Sequence, residues 1–110
     1  MKDDRGRLQD IHEAIKRIER YTDRSEEDFK GDELLQTWVV YHLQVIGEAA
    51  RKLSGDFCEA HAGVPWAQIV AMRNILVHDY FAVDVDEVWA VVKRDLPELK
   101  KKISALLNSF

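Results

Sequence analysis

The stretch from about Asp32 to Leu53 constrains this chain most. Leu34, Leu35, Trp38, Val39, His42, Val45, Ile46, Ala49, Ala50 and Leu53 recur at the three- and four-residue spacing of an α-helix. The stripe they form is broader than a single packed face needs. It therefore predicts a central helix, buried on more than one side. Gly47 lies inside it, where a glycine costs roughly 1 kcal/mol relative to alanine. Such a glycine is tolerated most easily where another backbone comes close. His42 stands on the apolar side and reads as a hydrogen-bonded core histidine rather than a ligand.

Other helices are predicted around this one. Leu8, Ile11, Ile15 and Ile18 give one buried face to a helix from about Arg5 to Tyr21, and the charged Arg7, Glu13, Lys16, Arg17 and Glu19 take its other sides. Thr22 to Gly31 reads as a polar connection, with Phe29 tucked under the bundle. Ser54 to Val64 is the longest break, with a short helical turn near Phe57 to Ala60 and His61 in a loop. A third helix starts at Pro65, whose missing N–H suits a first turn. Asp84 with Glu87 three residues on forms a capping box and opens a fourth. Asp95-Leu96-Pro97-Glu98 repeats the signal and opens a last helix to about Leu107. No period-two run occurs, and Gly and Pro number only 5 and 2. The expected fold is all-α, an antiparallel four- to five-helix bundle, with residues 1–110 as one domain.

Composition excludes several functions. The formal charge of −4 argues against binding nucleic acid through a global positive field, so any phosphate recognition must be local. Cys58 is the single cysteine, which rules out an intrachain disulfide and a cysteine zinc site. His61 has no partner at metal-pair spacing, so no metal and no cofactor is expected. The charged start of the chain does not read as a signal peptide, and no apolar run approaches the ~20 residues that span a bilayer. A cytoplasmic protein without membrane contact is the expectation.

The chemistry concentrates in Arg73-Asn74-Ile75-Leu76-Val77-His78-Asp79-Tyr80. On a helix turning ~100° per residue, Asn74 and His78 share a face, and so do Arg73 and Tyr80. Arg73 and His78 diverge by ~140° on a straight helix. They meet at one ligand only if the helix ends near His78 or a second subunit completes the site. The residue types suit phosphodiester cleavage. A guanidinium can hold a phosphate through two hydrogen bonds and stabilise its transition state. An imidazole can move the proton of a 2′-hydroxyl or of a leaving oxygen near neutral pH. Asn74 can fix the imidazole tautomer. The same residues also fit a plain helix end, where a cationic imidazole is favourable by about 0.3–1 kcal/mol. Arg-x4-His alone is a short pattern.

Further matches narrow the choice. Ile46-Gly47-Glu48-Ala49-Ala50, Pro65-Trp66, Met72-Arg73-Asn74 through Val77-His78-Asp79-Tyr80, Val88-Trp89 and Asp95-Leu96-Pro97 stand in an order and at distances that resemble the HepT-like toxins of the HEPN superfamily. These are small helical ribonucleases encoded beside MntA-type nucleotidyltransferase antitoxins. The resemblance covers the chain from the second helix to the last. It implies a HEPN-like bundle and a homodimer in which two Arg-x4-His motifs form a metal-independent endoribonuclease site acting on RNA. Carried over, Arg73 binds the scissile phosphate, His78 is the acid–base group and Asn74 assists. Glu48 corresponds to an acidic residue of the family's second helix and is a supporting candidate; from the residues alone it faces either the site or water. The family motif extends to Arg-x4-His-x-Tyr, which makes Tyr80 the acceptor of AMP from the antitoxin. The alternative is a non-catalytic HEPN subunit that binds a nucleotide or a partner within a nucleotidyltransferase complex.

Overall fold

The computed structural model describes residues 3–71 and 84–110. Among them every regular element is helical. Helix α1 spans Asp4–Thr22, opened by Asp3, whose carboxylate accepts the Gly6 N–H at 2.8 Å. Its buried side is Leu8, Ile11, Ala14, Ile15 and Ile18, the predicted face with one alanine added. Thr22 closes it by donating its hydroxyl to the Ile18 carbonyl.

The stretch expected to be a plain connection contains a short helix, α2, Glu26–Lys30. Ser25 caps it by accepting the Asp28 N–H, and three acidic residues crowd its first turn, where the helix dipole favours them. Its one large apolar residue, Phe29, is fully buried against Trp89, with ring centroids 5.0 Å apart. Gln36 donates to the carbonyls of Phe29 and Lys30 and so satisfies the end of the short helix.

Helix α3, Glu33–Arg51, is capped by Asp32, whose carboxylate takes the Leu35 N–H at 3.0 Å. Leu35, Val39, His42, Leu43, Ile46, Gly47, Ala49 and Ala50 form its buried side. His42 behaves as a core histidine: Nδ1 lies 2.8 Å from the Trp38 carbonyl, and the tilted Trp38 ring has its centroid 4.3 Å from the imidazole. The helix runs antiparallel to α1. The start of α3 meets the end of α1 where the Trp38 Nε1–H donates to the Arg17 carbonyl. Its far end meets the start of α1 where the Asp4 carboxylate accepts both the Ser54 N–H at 2.8 Å and the Ser54 hydroxyl at 2.7 Å.

The same Ser54 caps helix α4, Gly55–Ala60. Helix α5 begins at residue 66 and is described to residue 71. Pro65 stands just before it, its carbonyl accepting the Ile69 N–H, so the helix starts one residue later than the sequence predicts. Helix α6, Val85–Ala90, has the expected Asp84 cap.

The largest departure follows. Asp95 does not cap a new helix: it has helical dihedrals (φ −88°, ψ −40°), and its side chain makes no capping bond. The chain instead runs from α6 through a wide π-helical turn, Val91–Asp95, into helix α7, Leu96–Asn108. The Leu96 N–H reaches back five residues to the Val91 carbonyl. Pro97 supplies the physical reason. It has no N–H to give, and in a regular α-helix its ring would press on the carbonyl four residues earlier. One wider turn relieves that contact without ending the helix.

Helix α7 lies along α1. Lys100 pairs with Glu19 at 2.7 Å, and Lys93 donates to the Thr22 carbonyl while sitting over the Trp89 ring. The core therefore lies between α1, α3 and the α6–α7 rod, with Leu8, Ile11, Ile15, Val39, Leu43, Ile46, Leu96 and Ile103 at its centre. Among the described residues the observed architecture is an all-helical bundle, the fold class the sequence predicts.

Candidate functional site

Arg73, Asn74, His78 and Tyr80 all fall between residues 71 and 84, outside the described residues. What the structure describes is the frame on either side. The approach is pinned by a cluster around Trp66. Its indole N–H donates to the His61 carbonyl at 3.0 Å, its ring lies 6.1 Å from Phe57, and Ile69 one turn on is buried. Phe57 in turn stacks on Phe110 at 6.0 Å, so the C-terminus braces the same corner. The exit is fixed by Asp84 at the start of α6.

Glu48 is the one predicted site residue that is described. Its Oε1 accepts from Arg51 Nη2 at 2.6 Å and lies 3.6 Å from Lys52 Nζ, so the carboxylate is held between cations of the next turn. The hydrogen bond to Glu48 and then its negative charge push the Arg51 pKa up. The Glu48 side chain is 31% exposed. It points neither fully to water nor into the core. It borders a groove of about 340 Å³ between α1 and α3, with Arg7, Asp10, Tyr41, Gln44, Val45 and Ala49 as the other walls.

The groove brings together residues that the sequence places on separate helix faces. The sequence pattern puts Arg7 on an outer face of α1, yet its Nε is shielded from water with no hydrogen-bond partner among the described residues. Tyr41 is 60% exposed at the rim. A signal was present: Leu34, Trp38, Tyr41 and Val45 stand at spacings of four, three and four, a second stripe beside the core stripe of α3. A smaller cavity, about 270 Å³, lies between α5 and the π-helical turn and is lined by Ile69, Arg94, Leu96 and Lys102 among others. Among the described residues no three His, Cys, Asp or Glu side chains are grouped to hold a metal ion. None of the described helices is long and apolar enough to cross a membrane.

Residues 11–106 match the family model described as "Ribonuclease HepT-like". The chain belongs to the HepT-like ribonuclease family. That stretch reaches from the middle of α1 nearly to the end of α7 and includes the undescribed motif. Among curated relatives, "Probable ribonuclease HepT" of Thermococcus cleftensis is 43% identical over 100 residues, covering 90% of this chain and 91% of the relative. "Gamma-glutamylcyclotransferase and putative RNase" of Methanocaldococcus jannaschii is 40% identical over 104 residues, 94% of this chain. The chain spans about half of that relative's length, 47%. A "Putative RNase" of Caldanaerobacter subterraneus is 40% identical over 91 residues, 83% of this chain and 81% of the relative. No solved structure matches the chain.

Proposed function

We propose that this HepT-like chain is an endoribonuclease that cleaves RNA without a metal ion, with Arg73 and His78 as its catalytic residues. The observation that carries the reading is the Arg-x4-His-x-Tyr pattern, Arg73 to Tyr80, inside the stretch that matches the family. Arg73 holds the scissile phosphate and offsets the charge that builds on it. As the ribose 2′-oxygen bonds to phosphorus and the bond to the 5′-oxygen breaks, one proton leaves the 2′-hydroxyl and one reaches the departing oxygen. The His78 imidazole carries these transfers, a role that typically contributes ~10²–10⁴-fold. Asn74 holds the ring in register. Glu48 acts as a support from α3. Because Arg73 and His78 diverge on a straight helix, a homodimer completes the site.

Regulation follows from the same segment. The chain is the toxin of a toxin–antitoxin pair whose partner is an MntA-type nucleotidyltransferase. The Tyr80 phenol oxygen attacks the α-phosphorus of ATP, pyrophosphate leaves, and the phenolic proton is lost. The AMP so attached brings a bulky anion close to Arg73 and repels RNA.

Cleavage of a labelled RNA in chelator-treated buffer tests the reading. Arg73→Ala and His78→Ala are each expected to lower the rate at least ~100-fold while leaving the helical circular dichroism unchanged. Unaltered cleavage by His78→Ala would exclude the assignment. Incubation with the partner enzyme and ATP is expected to add the mass of AMP, and Tyr80→Phe to abolish the addition.

A further inference from the structure

The cavity of about 270 Å³ between α5 and the π-helical turn has an apolar, buried floor. Ile69 of α5, Val91 of the turn, and Leu96 and Leu99 of α7 form it. The rim is polar, with Gln68, Arg94, Asp95, Glu98 and Lys102. Two of the cations on it are tied down. Lys102 Nζ donates to the Gly63 carbonyl at 3.0 Å, and Arg94 Nε donates to the Asp95 carboxylate at 3.1 Å. The second bond steadies the plane of a guanidinium whose side chain is 75% exposed. A flat cationic face therefore stands at the edge of an apolar floor. The π-helical turn builds this arrangement, since Val91, Arg94 and Asp95 all belong to it. Wide turns of this kind recur at functional sites.

We propose that this cavity is a subsite for one nucleobase of the RNA substrate, a base with an exocyclic amino group that lies beside the scissile phosphate. The inference rests on the nuclease reading of Arg73 and His78. Three features select that occupant. The first is size. Sites that enclose drug-sized ligands run to ~300–1,000 Å³, so this one takes a single ring system and leaves sugar and phosphate outside. The second is charge. The rim sets two cations against two carboxylates, which suits a neutral ring better than a phosphate. The floor takes one face of the ring, and the Arg94 guanidinium stacks on it from the edge. Gln68 can pair with the edge of an adenine, and the Asp95 and Glu98 carboxylates accept from an amino group. A uracil carbonyl facing those carboxylates is repelled. The third is position. Arg73 follows Ile69 by four residues. A chain spans at most ~3.6 Å per residue, so the Arg73 Cα lies within ~14 Å of the Ile69 Cα by any path. A base next to the phosphate that Arg73 holds can reach the cavity. A free nucleotide offers the same ring without that tether.

Two measurements on the full chain test the proposal. The first is cleavage of an RNA pool randomised in sequence, with the cut sites read by sequencing. At one position beside the cut, amino-bearing bases are expected to be favoured over uracil at least about fivefold. Arg94→Ala and Gln68→Ala are each expected to lower kcat/KM on the favoured RNA about tenfold and to flatten the preference. On RNA made abasic at that position, they are expected to cleave as the wild type does. Arg24→Ala, an exposed arginine elsewhere, changes neither readout. No preference, or one that both variants leave intact, overturns the subsite while the nuclease reading stands. The second measurement needs no cleavage. A short 2′-O-methyl RNA carries 8-azidoadenine at each position in turn. Illumination is expected to attach it to peptides of α5 or the π-helical turn. Attachment there by a protein that cleaves no RNA upholds the base site and rejects the nuclease reading. Attachment only elsewhere overturns the base site. Labelling of the same peptides by 8-azido-AMP but not by the RNA assigns the cavity to a free nucleotide and overturns the RNA base.

Discussion

The two sides of α3 carry similar residues and meet different fates. On the inner side Leu35, Val39, Leu43 and Ile46 are almost or wholly removed from water. On the outer side, one residue before Leu35 in the chain, Leu34 is 84% exposed, and Tyr41, next to the buried His42, is 60% exposed. Residue type alone therefore does not decide burial. Position against α1 and α7 does. The inner side is where the fold gains its stability; the outer side gains nothing until something covers it.

This contrast can be tested by substitution. Ile46→Ala, on the inner side, is expected to cost about 2–5 kcal/mol, since it removes three buried carbons and leaves a cavity in a packed core. Urea unfolding measures it, and a loss under 1 kcal/mol would mean that the inner side is not close-packed. Asp4→Ala removes two hydrogen bonds to Ser54 and unties the start of α1 from the end of α3; about 1–2 kcal/mol is expected. Asp32→Ala removes the cap of α3 for about 1 kcal/mol and should weaken both sides of the helix alike. Leu34→Ser, on the outer side, is expected to change the stability of the isolated chain by less than about 0.5 kcal/mol, read at concentrations low enough to exclude association. A loss comparable to that of Ile46→Ala would erase the distinction between the sides.

The smallest effect is one of pH. The hydrogen bond and charge of Asp86, then the charge of Glu26, hold the exposed Lys30 ammonium above its ordinary pKa and tie α2 to α6. A group raised in the folded state stabilises fully below its unfolded pKa and loses that contribution as pH rises through the folded one. Alkaline titration of wild type and Asp86→Asn should therefore give melting curves that converge only above the ordinary lysine range. Curves that converge near neutral pH would show that the pair does not form.

The long helices were legible because amphipathic period is a strong signal over 19 residues. Their observed ends lie within two residues of those the apolar pattern predicts. Helix α2 was missed because five residues with one apolar side chain show no period; only Ser25 with Asp28 marked it. The break expected at Asp95 failed for a different reason. Asp-Leu-Pro-Glu spells a helix start in local terms, yet Val88, Val92, Leu96, Leu99 and Ile103 face one continuous core. Packing along that line outweighs a local signal, and the π-helical turn is how the proline is accommodated. At the candidate site, sequence supplied residue types, spacing and a family likeness. For the groove at Glu48 it offered only the second stripe of α3, because the other wall comes from α1, more than thirty positions earlier in the chain.

One practical consequence comes from the indole contacts. The chain has three tryptophans, and each occupies a separate district. Trp38 sits on the outer side of α3 against Tyr21, Trp66 at the entrance to the Arg73–Tyr80 segment, and Trp89 against Phe29 where the small helix docks. The molecule thus carries its own optical reporters. With the other two indoles replaced by phenylalanine, emission from Trp38 follows the solvent exposure of the outer side of α3. Trp66 alone reports changes where the chain enters the Arg73–Tyr80 segment. Trp89 alone reports the undocking of α2. Three single-tryptophan variants would resolve events in these three districts as separate fluorescence signals, with no dye attached.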